Sequence, residues 1–119
     1  MNRMTLLVGA LALFTLQGSA SAQVPTEDPE EQMDASFRKF GYVTGQAFAC
    51  HTKEQQKNLE ATAFTVGTNI LRLFGSDRAF FFAAAFGAGA SAPVDAAKCP
   101  ATIKQAEEMV GRLKVLSSR

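Results

Sequence analysis

The chain has 119 residues, with 12 basic and 11 acidic side chains and 47% hydrophobic residues. That near-neutral balance excludes the basic surplus by which proteins hold nucleic acid or anionic membrane surfaces. A single histidine and two cysteines narrow the chemistry further.

The first segment reads as a secretory leader. Arg3 supplies a short positive start, an apolar run follows from Leu6 to Leu16, and Ala20-x-Ala22 is a pattern that signal peptidases accept. Cleavage is expected before Gln23, so residues 1–22 form the signal peptide and residues 23–119 a single domain of about 97 residues. The run is about half of the ~20 residues that span a bilayer, so no transmembrane anchor is expected. No cysteine sits at the cleavage point, which argues against a lipoprotein. Loss of Arg3 leaves 11 basic and 11 acidic side chains. The predicted compartment is the periplasm or the secreted space.

Four helices are predicted in the exported part. Asp28 is a candidate cap for the first, with Pro29 at its first position and Glu31 completing a capping box. Met33, Phe37, Phe40, Thr44, Ala47 and Phe48 repeat at helical period. Gly41 and Gly45 lie four apart on a neighbouring face and would let another helix approach closely. Thr52 and Gln55 form a second capping box, opening a helix to about Phe74 whose inward residues are Leu59, Ala63, Val66, Ile70 and Phe74. Gly75 is a natural stop.

A third segment, Arg78 to about Gly87, carries Phe80, Phe81, Phe82 and Phe86 among alanines and is apolar on every side. Such a helix is expected to be buried. Alternatively its phenylalanines line a cavity or form a surface for a ligand or partner. Residues 87–93, with two glycines and Pro93, read as a flexible connection. The last helix starts near Pro100, with Ile103, Ala106, Val110, Leu113 and Leu116 or Ser117 facing inward. No strand pattern and no internal repeat is found.

Cys50 ends the first helix and Cys99 begins the last. In an oxidising compartment two cysteines in a small domain are expected to pair. The bridge would close a loop of about 50 residues, worth roughly 4 kcal/mol by chain entropy. A reactive thiol at Cys99 is the alternative, because a helix N-terminus lowers a cysteine's pKa. The predicted fold class is all-α, a small four-helix arrangement stapled by one disulfide.

Catalytic signatures are missing. His51 is the one histidine; a zinc site would need Cys50 or carboxylates that lack ligand spacing, and a haem pair with Met33 or Met109 rests on two common residue types, so no metal site or cofactor is predicted. Gly87-x-Gly89-x-x-Ala92 matches the dinucleotide fingerprint in letters but lacks its strand–turn–helix context. Ser36, Ser76 and Ser91 have no base at a plausible place. Glu30–Glu31 and Glu107–Glu108 read as solvated helix surface.

At Gly41-Tyr42-x-x-Gly45, and at Cys99-Pro100 with Gln105 and Val110, the chain resembles the Tai-type immunity proteins. That resemblance implies a small periplasmic helical protein that binds and blocks a cell-wall amidase effector. In architecture it is also similar to the Hde-type acid-stress chaperones, which share the leader, the helical domain and one disulfide. The expected function is a non-catalytic secreted or periplasmic module that binds another protein, chaperone-like or inhibitor-like. The alternative is a carrier of a small apolar molecule in a Phe-lined cavity.

Overall fold

A computed structural model describes residues 28–119. The leader and its cleavage point lie outside the described residues. Four helices follow one another: α1 (Pro29–Ala49), α2 (Lys53–Phe74), α3 (Ser76–Ser91) and α4 (Cys99–Ser117), the last preceded by a short 3-10 turn at Ala96–Lys98. The fold is all-α, and no strand occurs among the described residues.

The helix starts follow the expected chemistry with one change. Asp28 caps α1, but its carboxylate accepts the amide of Glu30 at 3.1 Å, one position earlier than the expected box with Glu31. At α2 the box is complete. Thr52 Oγ1 accepts the Gln55 amide, and Gln55 Oε1 accepts the Thr52 amide at 3.2 Å. Gly75 ends α2 with φ of +97°, a conformation that L side chains rarely adopt.

The expected flexible connection at residues 87–93 is corrected. α3 continues through Gly87 and Gly89 to Ser91. Each interior glycine costs about 1 kcal/mol relative to alanine, and at Gly89 packing against α1 offsets it. A Cβ on Gly89 would fall 2.2 Å from the carbonyl oxygen of Tyr42. The helix stops where Pro93 forces Ala92 into an extended conformation, with ψ of 151°. Pro93 has no N–H to give the carbonyl four residues back. That carbonyl belongs to Gly89, and Gln46 Nε2 from α1 donates to it instead.

α1 and α3 pack more extensively than any other pair. Matched contacts rise together along both helices, so the two run parallel. Arg78 Nε lies 3.3 Å from Asp34 Oδ1, Phe82 meets Phe40, and Gly45 meets Phe86. Gly41 and Gly45 fulfil their expected role, since a Cβ on either would fall 2.2 Å from the Phe82 or Phe86 carbonyl oxygen. Helices α1 and α4 make a second contact, and α2 and α3 a third. The α2–α4 contact is slight, and α3 and α4 have no close backbone approach. Around the bundle the order is therefore α1, α3, α2, α4, with α1 diagonal to α2 and α3 diagonal to α4.

The core lies between them. Phe37, Phe40, Val66, Ile70, Phe82 and Leu113 are its buried members, flanked by Phe74, Ala79, Phe86, Met109 and Val110. Phe37 packs on Phe74 with ring centroids 4.9 Å apart, and Phe40 on Phe82 at 5.0 Å.

Candidate functional site

The cysteines form the expected disulfide, Cys50–Cys99, with Cα atoms 5.6 Å apart. Neither thiol is free, so the described fold holds no cysteine nucleophile. The bridge ties the end of α1 to the start of α4. A second clamp lies beside it: Gln56 Nε2, from the first turn of α2, donates to the carbonyls of Phe48 and His51, each at 3.1 Å. The Phe48 carbonyl lies in the last turn of α1, where carbonyls lack a partner within their own helix, and His51 lies just past the helix end.

The four phenylalanines of α3 take different positions. Phe82 is 2% exposed and belongs to the core. Phe86 is half-buried between Phe48 and Phe82. Phe81 is half-buried beneath the Arg38 guanidinium, 4.0 Å from the ring centroid. Phe80 is 68% exposed. Burial on every side was expected from an all-apolar helix, and this is corrected. With α1 on one flank and α2 on the next, the remaining side of α3, bearing Phe80, Ala83, Ala84 and Gly87, is exposed.

All four helices contribute to a cleft of about 350 Å³. α1 provides Thr44, Ala47, Phe48 and, at its end, His51. α2 provides Leu59, Thr62, Ala63 and Val66, and α3 provides Phe86. α4 provides Ile103, Ala106, Glu107, Val110, Gly111 and Lys114. The residues at the mouth, Thr62, Glu107, Gly111 and Lys114, are exposed and lie on α2 and α4, the pair with slight contact.

A second section of about 280 Å³ continues the cleft along the same seam and shares Thr62, Val66, Val110 and Lys114 with the first. Its other walls are Ala61, Thr65, Asn69 and Leu113. The cleft exists because small residues occupy facing inward positions. Ala47, Ala63 and Ala106 fill less space than the Phe37, Ile70 and Leu113 set at the other end, and Gly111 adds no side chain.

Polar groups at the cleft are few. His51 Nδ1 donates to Gln55 Oε1 at 3.2 Å, since an amide oxygen only accepts. The single ion pair among the described residues joins Arg78 and Asp34, so Lys114 and Glu107 are without protein counter-ions there. No group of three or more His, Cys, Asp or Glu side chains converges as a metal site among the described residues.

Sequence reasoning placed Leu59, Ala63, Ile103, Ala106 and Val110 on inward stripes but did not find the cleft. The available signal was the alternation of small with large residues on two facing stripes. A different groove, about 520 Å³, runs between α2 and α3 past Phe64, Gly67, Leu71 and Ala83. Phe64 is 78% exposed and Leu71 51%. No helix among the described residues is long and apolar enough to cross a membrane.

No protein-family model matches the chain, and no curated protein or solved structure matches it significantly.

Proposed function

We propose that the chain is an exported, non-catalytic binding protein that carries a small apolar molecule in the four-helix cleft. The observation that carries this reading is the cleft itself. Its volume of about 350 Å³ falls in the range of small-molecule sites, its walls are mainly aliphatic and aromatic, and its few polar groups stand at the mouth. Phe48 and Phe86 make the aromatic end of the wall. The disulfide and the Gln56 clamp hold that end together, as a carrier acting in the periplasm or outside the cell requires.

Native mass spectrometry of the exported, oxidised chain tests the reading. The expected mass is that of a chain beginning at Gln23 with an apolar molecule bound, or able to take one up. Ala63→Phe puts a ring into the cleft and should weaken uptake at least tenfold while circular dichroism stays helical. An Ala63→Phe protein that binds as well as the parent would refute a cleft site.

A second reading is favoured by a separate observation. Phe64, Leu71 and Phe80 stand exposed on the outer α2–α3 side, and no charged residue lies between Ala79 and Ser91. Apolar surface of that kind marks protein contacts, which suits a chaperone-like or inhibitor-like module. The double change Phe64→Ser and Phe80→Ser would then abolish partner capture and leave cleft binding intact.

A further inference from the structure

Resting on the carrier reading, we infer that the cleft's ligand is a single-chain amphiphile with an anionic headgroup, seated with its carboxylate at Lys114 and its tail toward Phe48 and Phe86. The two sections of the cleft differ in character. The first is walled mainly by Leu59, Ala63, Ala106 and the two phenylalanines, with His51 and Glu107 at its edge. The second is more polar for its size, with Thr65 and Asn69 in its wall, and Lys114 stands where the two sections meet. Lys114 is the second section's only charged group, and no acidic residue lines that section. Val66 and Val110 bridge the two sections, so one continuous molecule can lie in both.

The shape selects a chain. α2 and α4 run parallel along the seam, with lining residues from Leu59 to Asn69 on one and Ile103 to Lys114 on the other. At 1.5 Å per residue this trough is roughly 15 Å long, and it is narrow because α2 and α4 still touch.

Charge selects the orientation. Glu107 lines the first section, at the end where α4 starts, and would repel a carboxylate there. Lys114 lies seven residues further on, about 10 Å along the helix. It has no carboxylate partner among the described residues. A headgroup at Lys114 stays in water at the open seam, while the tail displaces water from the apolar section.

Isothermal titration of the oxidised chain, below the micelle concentration, tests this with matched dodecanoate, dodecanol and dodecyltrimethylammonium. Dodecanoate should bind tightest. Within a series of shorter carboxylates, affinity should rise about fourfold per methylene (~0.8 kcal/mol) until the trough is full. Lys114→Gln should weaken dodecanoate about fivefold, the effect of one exposed charge pair, and leave dodecanol unchanged. Lys104→Gln, on the same helix but outside the cleft, should change neither. If dodecanol matches dodecanoate and Lys114→Gln has no effect, the headgroup assignment is overturned and the carrier reading stands. Preference for the ammonium, lost in Glu107→Gln, reverses the orientation and also overturns it. If none of the three binds while circular dichroism shows a folded chain, the carrier reading fails and this inference with it.

Discussion

At Gly41, Gly45 and Gly89 the contact between helices is made by backbone. Each would place a Cβ 2.2 Å from a carbonyl oxygen of the partner helix, against a backbone that cannot rotate out of the way. Gly87 sits in the same stretch of α3, and a Cβ there would have nothing within 4 Å. Alanine should therefore act in opposite directions at neighbouring sites. Gly45→Ala forces α1 and α3 apart and should lower unfolding free energy by about 1–3 kcal/mol, as overpacking does. Gly87→Ala should raise it by about 0.5–1 kcal/mol, through helix propensity alone. Urea midpoints followed at the helical circular-dichroism band read both, and equal shifts would contradict the backbone contact. The spacing of Gly41 and Gly45 was legible as a close-approach motif. Gly89 was not, because two glycines before a proline carry the local signal of a loop. The Gln46 amide and the Tyr42 carbonyl, 43 and 47 positions away in sequence, decide that stretch, and no local pattern reports them.

Among the elements, the best-specified feature is the pairing of two helix ends. Asp28, Thr52 and Gly75 set starts and stops by local hydrogen bonding and φ preference, so the boundaries of α1 and α2 could be read from the chain. The pairing of Cys50 with Cys99 followed from the number of cysteines and the expected compartment. The bridge spans 49 positions, and the chain-entropy model gives such a loop about 4 kcal/mol. The Gln56 clamp survives reduction and holds α2 to the end of α1, but it does not reach α4. Replacing both cysteines by alanine should thus lower stability by about 2–4 kcal/mol and loosen the start of α4 first. Chemical denaturation reads the magnitude, and exchange of the Ile103–Glu107 amides reads the location. A loss below about 1 kcal/mol would mean that the unfolded chain gains little freedom when the bridge is gone. The all-apolar α3 was the element least well read. Periodicity reports how many sides of a helix are apolar, but not how many neighbours are available to cover them. In a four-membered ring α3 has two neighbours, α1 and α2, so Phe82 is covered and Phe80 is not.

At the scale of the whole molecule, the order α1, α3, α2, α4 leaves one seam weaker than the rest. That order is invisible in the sequence, because inward stripes specify which sides meet a core and not which helix sits opposite which. The consequence is mechanical. α1 is held by α3 along its length, by the disulfide and by Gln56, whereas between Leu59 and Asn69 α2 borders the open seam and the two sections of the cleft. Local opening free energy falls where buried contacts are few. Hydrogen exchange in the absence of ligand should therefore show amides of residues 59–69 at least about tenfold less protected than those of residues 37–47. A molecule in the cleft contacts both sides of the seam and binds only when α2 is seated. At ten times its dissociation constant it should slow opening of that stretch by about tenfold, since stabilisation follows RT ln(1 + [L]/Kd). The same ligand should leave residues 37–43 unchanged, because Phe37 and Phe40 pack in the core beyond the cleft. Dodecanoate is the probe for this measurement. Equal protection of α1 and α2 without it would show that the seam is as tight as the rest of the bundle. Protection gained uniformly along the chain would place its binding elsewhere than between α2 and α4.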